Sequence, residues 1–220
     1  MTRLYLLIGL ALTAALAAAT GEEAITIAEV LPGPTSETAP AFVELYNASG
    51  TNVSLDSWRL KVYTANGVEQ AILPTGSVIP ARGFFLIGWA ADRDAWSNDS
   101  IKPDVYVDIG HRLARGRGAV VLARSNNAVR DTLGWGDVTT PYFEGTASAA
   151  PAAGSSLERK SGANHDESHG NGYDTDNNFN DFRLRPTPQP QNTSSPREYP
   201  AANTEDNAWG RIKAMYYGRR

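Results

Sequence analysis

Trp58-Arg59-Leu60-Lys61-Val62-Tyr63 sets Trp58, Leu60 and Val62 in alternation with Arg59, Lys61 and Tyr63, and Asn66-Gly67 closes the run. A period of two marks a strand with one face buried, and Trp58 is large enough to fill the space between two sheets. Outward from this strand, Phe84 to Ile87 and Ala119 to Ala123 are nearly all apolar, as strands deep in a sandwich core should be. Ala24 to Leu31 alternates and stops at Pro32-Gly33-Pro34, while Phe42 to Tyr46 stops at Asn47. Ala71 to Leu73, Val105 to Ile109 and Val129 to Leu133 complete the predicted strands. No long window between Ala24 and Leu184 keeps a helical period. Many short strands parted by Gly, Pro and Asn predict an all-β sandwich or barrel. Two long polar insertions, Trp89 to Asp104 and Val138 to Ser155, interrupt them.

The ends have a different composition. Arg3 precedes an uncharged run from Leu4 to Ala19, which closes on Ala17, Ala18 and Ala19. Small residues there suit signal peptidase, and the run is shorter than the ~20 residues a spanning helix needs. Residues 1–19 are therefore predicted to be a signal peptide, with a membrane anchor as the alternative. No second run of this kind follows, so no transmembrane span is predicted in the mature chain. Cysteine is absent, so an exported chain relies on its core, or on bound ions, for stability. Glycosylation-type sequons occur at Asn47, Asn52, Asn98 and Asn192. The net charge is −4, with the acidic excess in 21–192 and a basic excess after it. An acidic body argues against strong non-specific nucleic-acid binding, which needs clustered Lys and Arg. Residues 193–208 read as a Ser-, Pro- and Asn-rich linker, and 209–220 as a basic aromatic tail.

The strands carry a specific series of blocks: Ile27-Ala28-Glu29-Val30-Leu31, Phe42-Val43-Glu44-Leu45-Tyr46-Asn47, Leu55-Asp56-Ser57-Trp58-Arg59-Leu60 and Ile79-Pro80-Ala81-Arg82-Gly83 leading into Phe84–Ile87. Gly118 to Leu122, Val129-Arg130-Asp131, Trp135-Gly136, Gly154 to Arg159, Asp174 to Asn178, Asp181-Phe182 and Pro186 to Asn192 follow in order. In this order and spacing, residues 24–192 resemble the lamin-tail domain of exported prokaryotic proteins. The resemblance implies an immunoglobulin-like β-sandwich without enzymatic chemistry. Such domains bind proteins and DNA in nuclear lamins, and in prokaryotes they are often fused to exported hydrolases, which they are thought to tether. Two positions also have a reading of their own. Glu44, mid-strand among apolar neighbours, must lie at an edge or accept hydrogen bonds from backbone or Arg. Gly83 is the residue expected to take positive φ in the Pro80–Gly83 turn.

The densest polar cluster is Asp174, Asp176, Asn177, Asn178, Asn180 and Asp181. Alternating side-chain oxygens suit Ca²⁺, which takes six to eight, so Asp174, Asp176, Asn178, Asn180 and Asp181 are candidate ligands. The central Gly of a calcium loop is missing and Arg185 stands where a bidentate Glu would close it. A structural turn leading into a strand at Phe182 is the favoured reading, with calcium as the alternative cofactor. His165, Asp166, Glu167 and His169 lie among glycines that disfavour a helix and read as a solvated loop. Arg112, Arg115 and Arg117 form the one basic cluster of the body, a hairpin tip or an anion-binding site. In the tail, Trp209, Ile212 and Tyr216 fall on one face of a two-turn helix, fit to dock on a surface or on the domain itself.

Nucleophilic catalysis has little support: there is no cysteine and no Gly-x-Ser-x-Gly elbow. The expected function is a non-catalytic exported module, secreted or at the cell surface, binding a protein or cell-envelope component. The alternatives are a structural surface component held through its tail, and an extracellular nucleic-acid binder.

Overall fold

A computed structural model describes residues 21–33, 40–64, 67–97, 99–139 and 141–201. The predicted signal peptide and the tail with Trp209, Ile212 and Tyr216 lie outside the described residues, as does Asn98. The strands are β1 (Ile25–Leu31), β2 (Phe42–Asn47), β3 (Val53–Ser54), β4 (Arg59–Thr64), β5 (Gly67–Ile72), β6 (Val78–Ile79), β7 (Phe84–Trp89), β8 (Val105–Val107), β9 (Arg117–Ala123), β10 (Val129–Gly136), β11 (Ser156–Arg159) and β12 (Phe182–Arg185). One helical turn, Ala90–Trp96, follows β7, and another, α1 (Asn178–Asp181), precedes β12. No helix among the described residues is long and apolar enough to cross a membrane.

Two sheets face each other in an immunoglobulin-like sandwich. One runs β12-β11-β1-β2-β7-β8 and the other β10-β9-β4-β5, with β3 and β6 as a short separate pair. Pairing is antiparallel except between β7 and β8. The core fills the space between: Ile25, Ile27, Val43, Leu45, Phe85 and Ile87 from the larger sheet meet Leu60, Val62, Val120, Leu122, Leu133 and Trp135 from the smaller, with Trp58 among them. Each strand contributes every second residue, as the pleat requires. Gly118 matters here, because a Cβ on it would stand 2.6 Å from the Trp135 ring.

β1, β2 and β7 are buried along their whole length, because the outer face of the larger sheet is covered too. Phe42, Leu86 and Leu31 pack there against Trp96, and Tyr46 packs with Phe84. Trp96, in an insertion that reads as polar and exposed, is only 3% accessible, since the Ala90–Trp96 turn folds it back onto Phe42. The chain after β12 completes the cover. The Gln191 N–H bonds Glu44 at 2.5 Å, the Tyr46 hydroxyl donates to the Glu198 carbonyl at 2.6 Å, and the Glu198 N–H donates to the Arg82 carbonyl at 2.9 Å. Residues 193–201, which read as the start of a linker, thus lie against the body.

β5 is longer than the predicted Ala71–Leu73 strand, because the hairpin from β4 closes at once and pairs Thr64 with Gly67. In the Pro80–Gly83 turn the left-handed residue is Arg82, at φ 53°, rather than Gly83. Bonds from the Arg82 N–H to Ser49 and from Glu198 to the Arg82 carbonyl hold it there, offsetting the cost of that conformation, about 1 kcal/mol. At Gly83 a Cβ would meet only the flexible end of the Arg197 side chain, which can swing aside.

Candidate functional site

The β1–β11 ladder is two pairs long, Glu29 with Glu158 and Val30 with Leu157. Past its end the backbone of Ile27 has no strand partner on that side, and buried main-chain groups must be satisfied. Two charged side chains do this. The Ile27 N–H donates to the Asp131 carboxylate at 2.6 Å, and the Ile27 carbonyl accepts from Arg159 Nε at 2.8 Å. Arg159 Nη2 also donates to both oxygens of Asp131, at 2.8 and 2.7 Å. Both residues are fully buried. Asp174 and Asp181 approach the other terminal nitrogen at 3.4 and 3.8 Å. Burial works against the guanidinium charge, but Asp131, Asp174, Asp181 and Glu144 together outweigh it and raise the Arg159 pKa. Burial, with Asp131 and Asp174 nearby, pushes Glu144 up to about 8, so it holds a proton at neutral pH. Oxygens of Asp131, Glu144 and Asp174 lie within 4.8 Å of one another.

The predicted calcium residues divide here. Asn178 is buried and fully used: its Oδ1 accepts from the N–H groups of Gly134 (2.9 Å) and Glu144 (3.2 Å), and its Nδ2 donates to the Thr132 carbonyl (2.7 Å). Asp181, also buried, accepts from Thr175 N–H, Thr175 Oγ1 and Asn177 N–H. These two side chains fasten α1 to β10 and close the turn. Asp174, Asp176 and Asn180 are exposed, with Asp176 in the left-handed conformation at φ 54°.

A second polar group lies on the outer face of the larger sheet. Glu158, Glu29 and Glu44 stand in register across β11, β1 and β2, all buried. Arg183 and Arg185 neutralise Glu158, each at 2.6 Å. Among the described residues the Glu29 carboxylate is bonded by Ser156 and the Gln189 N–H (3.3 Å) alone. Burial pushes its pKa up to about 7, and burial together with Glu29 raises that of Glu44 well above its ordinary value. Between this row and the C-terminal segment lies a cavity of about 250 Å³ lined by Glu158, His165, Glu167, His169, Arg185 and Glu198. His165 accepts from Ser161 N–H at 3.2 Å, and burial, then Arg183, lowers its pKa. His169 pairs with Asp166 at 3.2 Å.

The basic turn before β9 is partly engaged. Arg112 bonds the buried Asp92, and His111 bonds Glu69. Arg115 and Arg117 have no ion-pair partner among the described residues, and Arg117 is exposed. Of the described sequon residues, Asn47 is fully buried, with its amide donating to the Thr51 and Pro80 carbonyls.

Asp131, Glu158 and Arg159 stand in the sequence blocks above with no role evident from the sequence. The available signal was a charge inside an otherwise apolar strand, the same signal that singled out Glu44.

The structure is similar to that of a DUF4876 family protein from Bacteroides thetaiotaomicron, with a TM-score of 0.53 and 13% identity, over 82% of this chain and 75% of that one. At that identity the likeness is one of fold. None of the curated proteins matches. The Lamin Tail Domain sequence model matches residues 18–137, from the approach to β1 through the end of β10. With the sandwich described above, that match places the chain in the Lamin Tail Domain family.

Proposed function

We propose that the protein is an exported, non-catalytic binding module that presents loops from a rigid sandwich and tethers a partner at the cell surface or outside the cell. The observation that carries this reading is where the charged side chains are spent. Asp131, Arg159, Asn178 and Asp181 brace strand ends against one another. Glu29 and Glu44 hold the C-terminal segment on the sheet. These are the bonds of a scaffold, and a scaffold of this kind offers loops to a partner. Arg115 and Arg117, without an ion-pair partner among the described residues, support a contact at the turn before β9, with an anionic protein or envelope glycan as the partner.

Capture from an envelope fraction on the immobilised protein tests this. Arg115→Ala combined with Arg117→Ala should reduce capture at unchanged melting temperature. Equal capture by wild type and double variant would remove the turn from the contact. A salt-sensitive gel shift with DNA would favour a nucleic-acid partner instead. The 174–181 turn is read as structural, so melting unchanged by EDTA or added calcium is expected. A calcium-dependent rise would restore the ion-binding alternative. Retention by the tail predicts that deleting 209–220 moves the protein from the surface fraction to the medium.

A further inference from the structure

From Val68 to Ile72, β5 is an uncovered edge among the described residues. The other sheet edges are short or occupied: β8 has three residues and β12 four, and the free side of β10 takes Ser148, through the Gly136 N–H at 3.0 Å and the Ser148 N–H at 2.8 Å. Val68 to Ile72 bond to β4 on one side. Among the described residues no backbone group bonds them on the other. The Glu69 carboxylate turns inward to the N–H groups of Gly110 and His111, leaving the strand edge open. Soluble proteins protect such edges with Lys, Pro or a bulge. β5 has none of these, its one charge, Glu69, is held by Gly110 and His111, and its outer face presents Val68 at 52% and Ile72 at 55% exposure.

We infer that β5 pairs with β5 of a second copy, antiparallel about a two-fold axis through Gln70, joining the two smaller sheets into one. The strand is self-complementary in that register. Gln70 faces Gln70, Val68 faces Ile72 of the second copy, and Glu69 faces Ala71. A shift that centred the axis on Glu69 would oppose two carboxylates, which is unfavourable. Val68 already has Tyr63 beside it in β4, and Ile72 of the second copy would cover its other side. An axis perpendicular to the sheet keeps both outer faces on one side, as an isologous interface requires. A single strand pair is a small interface, so association is expected at roughly micromolar to millimolar concentration.

Sedimentation equilibrium of the purified protein over that range tests the pairing, with thermal melts to show that each variant folds. The expected result is a mass rising from monomer to dimer, with Val68→Lys raising the dissociation constant by about tenfold or more. Gln70→Lys and Gln70→Glu should each be monomeric alone and dimeric when mixed. Should Val68→Lys fail to fold, Ile72→Lys reads the other end of the same contact. A wild type that stays monomeric throughout, a dimer indifferent to Val68→Lys and Ile72→Lys, or a Gln70 pair that does not recombine would each overturn the proposal.

Discussion

Glu29 and Glu44 stand directly opposite each other on adjacent strands of the larger sheet, both buried, and each bonded by a backbone N–H of the C-terminal segment. A β-bulge makes this possible. The register of β1 on β2 shifts between Ile27 and Glu29, so Ala28 is the extra residue and Glu29 turns to the outer face while Val30 returns to the core. Two carboxyl groups so placed cannot both ionise cheaply.

Stability should therefore fall as pH rises through neutrality. Glu29 at about 7 and Glu144 at about 8 lie above their unfolded value of 4.5, and Glu44 is raised as well. In the folded state these groups keep protons that the unfolded chain has lost, so their contribution is complete below 4.5, and that of Glu29 and Glu144 is lost as pH rises through about 7 and about 8. The surface carboxylates with lowered values, Asp166 and Glu167, act in the opposite sense only in acid. The melting temperature should peak near pH 5. Glu29→Gln should flatten the slope between pH 5 and 7, a change on the order of 1–3 kcal/mol; an unchanged slope would count against the shift at Glu29.

Removing one partner of the Asp131–Arg159 pair should be costly. Asp131→Ala leaves a buried guanidinium without its main counter-charge and the Ile27 N–H without an acceptor, a loss of about 3–5 kcal/mol. Replacing both, Asp131→Leu with Arg159→Met, should recover part of that loss. Urea titrations of the singles and the double measure the coupling directly.

Asn178→Ala should destabilise by about 2–3 kcal/mol with or without calcium, because it strands the buried Gly134 N–H and Thr132 carbonyl. A loss seen only when calcium is present would give Asn178 a ligand role instead.

Gly118→Ala should cost about 1–3 kcal/mol, since its methyl must displace the Trp135 ring from a close-packed core. Reduced tryptophan ellipticity in the near ultraviolet, with the far ultraviolet unchanged, is the expected spectroscopic result.

The sandwich was legible because it rests on a local, repetitive signal. Leu60 and Val62 on one strand, with Trp58 just ahead of it, and Phe85 and Ile87 on another must all face one core, and alternation records that residue by residue. Glu44 was legible as a residue needing partners, since a charge within an apolar strand is anomalous in any fold. Its partner was not, because Gln191 lies 147 positions away and hydrogen-bond geometry leaves no periodic trace. The same holds for Arg159, whose three tasks at Ile27, Asp131 and Tyr173 arise only where a short ladder ends. The burial of Trp96 was not legible, because a polar neighbourhood in sequence says nothing of which ring folds back. By itself the sequence determined most of the longer strands, the all-β class and the resemblance to the family, all carried by pattern along the chain. Only the tertiary structure decided which carboxylates have raised pKa values, which arginines find ion-pair partners among the described residues and which edge is open, because those depend on distances between segments remote in the chain.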